Sequence, residues 1–132
     1  MAEQDNKQKL ASWAVIRHFT PDEFDSPDET GSGINMNLEF VKLLDQGRDK
    51  TGFPWHINSG YRTEKHNKEV GGVGPEHCDG MAADIGANSQ EKFKIVQWAM
   101  SVGIKRIGIA KNYVHLGFSF NLPQEVIWTY YP

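Results

Sequence analysis

Three side chains in this chain have the types and spacing to bind a catalytic metal ion. His77 and Asp84 stand seven residues apart within residues 76–85, and His115 lies within residues 112–116. Two imidazoles and one carboxylate are a common donor set for catalytic zinc, which keeps its fourth position open for water or substrate. Few other residues point to chemistry, so the functional prediction depends on this trio.

The sequence around each candidate ligand supports this interpretation. Gly80, close to two alanines, lets the backbone turn tightly so that His77 and Asp84 can converge. Asp84 lies in the apolar run of residues 81–85, where a buried carboxylate without a partner is costly. His115 falls on a predicted strand, on the face opposite the apolar side chains. The simpler alternatives are a surface histidine at 115 and an aspartate at 84 that caps a loop or pairs with an arginine.

Composition and charge narrow the range of partners. The 132 residues carry a formal net charge of −3 with a sequence pI near 5.9 and show no basic stripe, which argues against nucleic-acid binding. Cys78 is the only cysteine, so the chain cannot form an internal disulfide. The N-terminus lacks the apolar core of a signal peptide, and no run approaches the ~20 apolar residues that span a membrane. Three alternatives follow: the protein is made and kept in the cytoplasm, it leaves by another route, or a leader has been removed. A monomer without membrane insertion is expected.

Helical and extended patterns are mixed along the chain. Thr20, Asn37 and Asn88 are predicted to begin helices, and Gly52 and Gly103 to end the two longer ones. A short helix is also predicted at residues 63–70, and strands at residues 55–59, 82–85, 106–110, 113–118 and 126–130. Without a regular βαβ alternation, this pattern favours an α+β fold, an antiparallel sheet flanked by helices. Residues 1–12 are polar and predicted to be disordered.

Several short motifs then follow one another in order. They are Ser59-Gly60-Tyr61-Arg62-Thr63, Asn67, Val70-Gly71-Gly72, His77 with Gly80, Ala82 and Asp84, and Val114-His115. Together they resemble the zinc D-alanyl-D-alanine carboxypeptidase family, bacterial and phage peptidases that cut the peptide stems of peptidoglycan. The resemblance runs from residue 34 to residue 115. It implies one zinc-peptidase-like domain at residues 13–132, with the hedgehog/DD-peptidase fold and one zinc ion bound by His77, Asp84 and His115.

The resemblance also implies residues that bind substrate. Arg62 is expected to bind the substrate carboxylate or the developing oxyanion, which suits its planar fork of donors. Ser59 and Tyr61 are expected to line the same pocket. For Arg62 the simpler alternative is a salt bridge with Glu64 or Glu69.

The chain departs from the family pattern where a general base is expected. Relatives commonly carry serine at the position of Pro75, and often an aspartate at that of Gly117 or an acidic residue at that of Asn112. General acid–base help is typically worth ~10²–10⁴ in rate, so its loss predicts impaired activity. Glu76 is a weak candidate base if its side chain turns inward; the alternative is a solvated loop residue. If position 117 is where the base belongs, Gly117→Asp is expected to raise the cleavage rate without changing the zinc content. A further alternative is that Gly117 is an inactivating or engineered substitution that opens space beside the metal.

The leading functional hypothesis is a zinc metallopeptidase acting on peptidoglycan stem peptides, as a D,D-carboxypeptidase or an endopeptidase. A phage endolysin that reaches the cell wall with the help of a separate membrane-permeabilising protein fits the lack of a leader. The alternative, favoured by Asn112 and Gly117, is a zinc-containing pseudoenzyme that binds peptidoglycan or a protein partner. A cysteine peptidase using Cys78 is disfavoured because no local signature of such enzymes surrounds it.

Overall fold

The computed structural model describes residues 2–130, with Ala2 described by its backbone alone. The helices are α1 (Ala2–Ser12), α2 (Leu38–Thr51), α3 (Glu64–Glu69) and α4 (Ser89–Ser101), with short 3₁₀ turns at Trp13–Val15, Pro21–Phe24 and Ser32–Asn35. The strands are β1 (His56–Ser59), β2 (Ala82–Gly86), β3 (Arg106–Ile109), β4 (Tyr113–Gly117) and β5 (Val126–Thr129). The predicted α+β class is confirmed.

The strands form one sheet in the order β1-β2-β4-β3-β5. Three of its four pairings are antiparallel, as predicted, but β3 and β5 are parallel, so the expectation of a purely antiparallel sheet is wrong. The reason is topological. Strand β4 is flanked by β2 and β3, and the chain leaves it at Gly117, opposite Arg106 at the start of β3. The returning segment therefore enters at the same end of β3, where Val126 aligns with Arg106.

One face of the sheet carries the apolar core. Ile85, Val114, Leu116 and Ile107 are at most 1% exposed and belong to one cluster with the buried side chains of α2 and α4. Phe118, just beyond β4, stacks on Phe40 of α2 with ring centroids 5.3 Å apart. Because strand side chains alternate between faces, this packing turns the intervening positions of β2, β3 and β4 towards the opposite face.

Predicted caps position the longer helices. The Asn37 side chain accepts a hydrogen bond from the Phe40 amide at 3.0 Å, and α2 ends at Gly52, whose φ of +76° is one that glycine adopts at little cost. Asn88 and Glu91 exchange side chain–backbone hydrogen bonds of 2.9 Å at the start of α4. These three boundaries are confirmed.

Helix α1 lies where the sequence predicts disorder. Its residues are mostly good helix formers, Ala, Glu, Gln and Lys, so local propensity supports a helix although the segment buries no apolar stripe. The Lys9 ammonium also donates a 3.0 Å hydrogen bond to Asn35 Oδ1, which joins α1 to the rest of the chain. The predicted disorder of residues 1–12 stays a prediction. Residues 1, 131 and 132 lie outside the described residues, and the domain boundary at residue 13 stays a prediction.

The length and the apolar character of the helices bear on membrane insertion. Among residues 2–130, no helix has both the length and the apolar character needed to cross a bilayer.

Gly47 lets α2 approach two tryptophans of the core. A β-carbon at this position would lie 2.6 Å from Trp55 Cη2 and 2.7 Å from Trp98 Cη2. We expect Gly47→Ala to lower the free energy of unfolding by about 1–3 kcal/mol through overpacking, despite the better helix propensity of alanine. Denaturant unfolding checks this. Gly74→Ala is the control, because a β-carbon there meets none of the described atoms within 4 Å; a stabilised Gly47→Ala variant would contradict the packing argument.

Candidate metal centre

A row of residues across all five strands forms the floor of the site. Ser59 of β1 pairs with Asp84 of β2, which pairs with His115 of β4, and His115 pairs with Gly108 of β3, which pairs with Trp128 of β5. The predicted ligands Asp84 and His115 are thus direct cross-strand neighbours although 31 residues separate them in sequence. Residues opposite one another on adjacent strands share a face, so the register alone brings their side chains together.

Asp84 is the central carboxylate. It is 5% exposed, and its Oδ1 lies 2.8 Å from His115 Nδ1 and 3.4 Å from His77 Nε2. Its Oδ2 lies 3.4 Å from Arg62 Nη2. Burial by itself raises the pKa of Asp84, but the hydrogen bonds and charges of the two histidines outweigh burial and hold the pKa well below its usual range. The predicted need of this buried carboxylate for partners is confirmed.

His77 reaches Asp84 from the loop between α3 and β2. Its Nδ1 donates a 2.7 Å hydrogen bond to the Gly60 carbonyl, which turns Nε2 towards Asp84. The predicted tight turn at Gly80 is confirmed: φ is +68°, and a β-carbon there would lie 2.4 Å from the Asn35 carbonyl oxygen. Only glycine fits this turn without displacing the backbone of residue 35.

His115 lies between two carboxylates. It is 4% exposed, with Nδ1 facing Asp84 at 2.8 Å and Nε2 facing Glu76 Oε1 at 3.1 Å. Burial lowers the pKa of His115, but the hydrogen bonds to Asp84 and Glu76 outweigh burial, so the pKa is raised above its ordinary value. A carboxylate at each ring nitrogen therefore holds the orientation of the imidazole.

The three predicted ligands fit a metal ion. One donor atom from each of His77, Asp84 and His115 lies within 4.8 Å of the other two, and all three residues are buried. Each imidazole also has its second nitrogen bonded to an oxygen, that of Gly60 or Glu76, as in histidine ligands whose outer partner sets the tautomer. Two imidazoles and one carboxylate held in this way suit zinc with an open fourth position.

Glu76 turns inward, contrary to the solvated-loop alternative. It is 5% exposed, and its Oε2 accepts a 2.9 Å hydrogen bond from Arg106 Nε. Burial raises the pKa of Glu76, but the hydrogen bonds from His115 and Arg106 outweigh it and lower the pKa. The Glu76 carboxylate fills the space beside Gly117, where a β-carbon would lie 2.2 Å from Oε2. The expectation of open space beside Gly117 is therefore wrong.

Arg62 is held by three side chains at the edge of the site. Its Nε donates to Ser59 Oγ at 2.9 Å, its Nη1 to Asn67 Oδ1 at 3.1 Å, and its Nη2 lies 3.4 Å from Asp84. The alternative of a structural salt bridge is therefore present, but its acidic partner is Asp84 rather than Glu64 or Glu69. Two of its five N–H groups remain to face a ligand.

The other predicted site residues lie apart from the cleft surface. Ser59 orients Arg62, and Tyr61 packs against the apolar core. Contact between substrate and these two side chains stays a prediction. Asn112 is exposed in the turn before β4. Burial raises the pKa of the Cys78 thiol, which disfavours the thiolate that a cysteine peptidase needs.

A cleft of about 560 Å³ opens above the ligands. One wall is the loop after α3, held by Asn67, which donates to the Gly74 carbonyl at 3.2 Å and accepts through its own carbonyl from Gly72 at 2.8 Å. The opposite wall contains Arg106, Trp128 and Tyr130.

Sequence reasoning missed Arg106 and Tyr130 as site residues. The signal was Gly108: a β-carbon there would lie 2.7 Å from Trp128 Nε1 and 2.8 Å from Tyr130 Cε2, so the glycine lets both rings cover this face of the sheet. The Arg106 guanidinium in turn lies 5.1 Å from the Trp128 ring centroid. A larger hollow, of about 730 Å³, lies by α2 and α4 and is lined by none of the predicted site residues.

Comparison with known protein families gave a match. Residues 17–117 match a family described as Peptidase M15. The matched segment begins just after the 3₁₀ turn at Trp13–Val15 and runs to the end of β4. It contains all three candidate ligands. No curated protein sequence matches the chain.

The donor set makes metal content the direct test of this centre. We expect the purified protein to bind about one zinc ion per chain, and His77→Ala or His115→Ala each to abolish tight binding, because two remaining ligands cannot complete the site. Elemental mass spectrometry after dialysis measures the content. His66→Ala, on α3 and outside the donor cluster, is the matched control. Wild-type protein without zinc after zinc is supplied would contradict the assignment.

Proposed function

Because the chain belongs to the Peptidase M15 family, we propose that it is a zinc metallopeptidase that hydrolyses peptide bonds in peptidoglycan stem peptides. The single observation that carries the proposal is the convergence of His77, Asp84 and His115 at the floor of the cleft, within the matched segment. We also propose that the domain has the hedgehog/DD-peptidase fold, with which the mixed sheet and its flanking helices are compatible.

The residues of the cleft suit peptide hydrolysis. Zinc, when bound, supplies Lewis-acid chemistry that activates water and polarises a carbonyl. Ser59 and Asn67 hold the Arg62 guanidinium in place. The N–H groups of Arg62 that make no internal contact can then donate to a carboxylate or to an oxyanion. Trp128 and Tyr130 form an aromatic wall against which the peptide chain packs.

The bond that is cut follows from what Arg62 recognises. A free terminal carboxylate bound by Arg62 makes the enzyme a D,D-carboxypeptidase, and a backbone carbonyl bound there makes it an endopeptidase. An endolysin role in a bacteriophage is consistent with either, and rests on the resemblance alone. The monomeric state likewise stays a prediction.

A zinc-bearing binding module is the second candidate, and one observation favours it. Asp84 and Glu76 are the carboxylates among the described residues that line the cleft. Asp84 belongs to the ligand set, and both oxygens of Glu76 are already hydrogen-bonded. General acid–base help would therefore have to come from a carboxylate that already binds Arg106 and His115, whereas a site that only binds peptides needs no base. Glu76 as general base stays a prediction.

Turnover of purified muropeptides by zinc-loaded protein distinguishes the two candidates. We expect cleavage products by mass spectrometry, abolished in His115→Ala and retained in His66→Ala. Loss of a terminal alanine identifies a carboxypeptidase, and separation of a cross-linked dimer identifies an endopeptidase. Tight peptide binding without product, in protein that holds zinc, would contradict the enzyme and support the binding module.

Arg62 provides a test of substrate recognition. We expect Arg62→Lys to lower kcat/KM for a peptide with a free C-terminal carboxylate by about 10–100-fold, because a charged hydrogen bond is worth roughly 1.5–3 kcal/mol. A C-terminally amidated peptide should be affected much less if Arg62 binds the terminal carboxylate. Arg17→Lys, an exposed arginine paired with Asp49, is the control. Equal losses on both peptides would place Arg62 at a backbone carbonyl instead.

A further inference from the structure

Glu76 and Gly117 form a complementary pair beside His115. The carboxylate of Glu76 enters from the loop, and Gly117 provides the space that it occupies. A β-carbon at 117 would lie 2.2 Å from Oε2, 2.7 Å from Oε1 and 2.8 Å from Cδ of Glu76. Contacts below 3.0 Å require the end of the Glu76 side chain to shift, away from the hydrogen bonds that it makes in this position. Any side chain at 117 therefore competes with Glu76.

The turn that precedes β2 delivers Glu76 to this position. The amide of Asp79 donates to the Pro75 carbonyl at 2.9 Å, and the amide of Gly80 donates to the His77 carbonyl at 3.2 Å. The segment is therefore a hydrogen-bonded turn and not an extended strand. In a helical turn, successive side chains are rotated by about 100° around the axis of the turn. In a strand, by contrast, successive side chains point to opposite faces. Glu76 and His77 can consequently both face His115.

Both carboxylate oxygens of Glu76 are committed to side chains of the sheet. Oε1 lies 3.1 Å from His115 Nε2, and Oε2 accepts from Arg106 Nε at 2.9 Å. Arg106 is directly opposite Gly117 across the β3–β4 pair, and its Nη1 donates to the Pro123 carbonyl at 2.7 Å. Glu76 thus sits in a site that is already complete, with side-chain exposures of 6% for the carboxylate and 13% for the arginine.

These contacts define the state of His115. With Nε2 donating to the Glu76 carboxylate, Nδ1, which lies 2.8 Å from Asp84 Oδ1, is the nitrogen that would bind a metal ion shared with Asp84. Carboxylates that accept a hydrogen bond from the outer nitrogen of a histidine ligand orient the ring and raise its basicity.

We propose that Glu76 is a positioning residue that holds His115 as an Nδ1 ligand, and that it supplies from the loop the carboxylate that a side chain at 117 would otherwise supply from β4. This inference rests on the proposed zinc site and goes beyond it, because it assigns Glu76 to ligand orientation rather than to proton transfer. An aspartate at 117 would point to the same face as His115 and stand opposite Arg106, so it could replace Glu76 only when Glu76 is removed.

The zinc dissociation constant, measured by competition with a chromophoric chelator, tests the exchange. We expect Glu76→Ala to weaken zinc binding by about 10–100-fold. Gly117→Asp alone should also weaken it, because two carboxylates then compete for one space. The double variant Glu76→Ala/Gly117→Asp should bind zinc within a few-fold of wild type. Glu69→Ala, an exposed glutamate of α3, is the control and should change nothing.

Two further readouts separate positioning from other roles. The visible spectrum of the cobalt-loaded protein should change in Glu76→Ala and return in the double variant, since it reports the ligand geometry. Glu76→Gln keeps an oxygen that can accept from Nε2, so it should retain zinc affinity within a few-fold and provides a variant of unchanged shape if Glu76→Ala fails to fold.

Several results would overturn the inference. Unchanged zinc affinity in Glu76→Ala, or a double variant that binds as weakly as the worse single one, would show that Glu76 does not position His115. Loss of turnover in Glu76→Gln with intact zinc affinity and an unchanged cobalt spectrum, not rescued by Gly117→Asp, would assign Glu76 as the base instead. A wild-type protein that binds no zinc would contradict the proposed function itself, whatever the Glu76 variants show.

Discussion

The buried carboxylate of Asp84 is the constraint on which the rest of the site depends. An ionised group in the middle of a sheet is tolerated only when charged or hydrogen-bonding partners surround it. Here the partners come from three places, His115 on the adjacent strand, His77 on the preceding loop and Arg62 after β1. Satisfying Asp84 therefore fixes the loop and two strands relative to one another, and the same arrangement is a metal-binding donor set.

Glycines determine how closely the surrounding parts approach this centre. Gly80 allows the turn that carries His77, Gly108 admits the rings of Trp128 and Tyr130, and Gly117 admits the carboxylate of Glu76. Each removes a β-carbon at a place where another group must pass. The polar face of the sheet is consequently lined by side chains from the loop, by Trp128 of β5 and by Tyr130 just after it.

Membership of the Peptidase M15 family and the geometry of the cleft point to the same chemistry. One carboxylate of the site comes from a loop rather than from the sheet. With Gly117 on β4 and Asn112 exposed, the acidic group beside His115 comes from Glu76, next to the first ligand. A carboxylate carried by a loop can orient a histidine as well as one carried by a strand, because the imidazole responds to where the oxygen lies.

The sequence by itself determined the candidate ligand trio, the caps of α2 and α4 and the positions of the strands, since donor type, cap residues and alternation act over a few neighbouring residues. The inward turn of Glu76, its contacts with Arg106 and His115, the pairing of Arg62 with Asp84 and the parallel β5 were decided only by the tertiary structure. The contacts of Glu76 join residues 30 and 39 positions apart. Whether such a carboxylate contacts solvent or an imidazole depends on the space that the packed sheet leaves beside it. Patterns among neighbouring residues in the sequence do not specify that space.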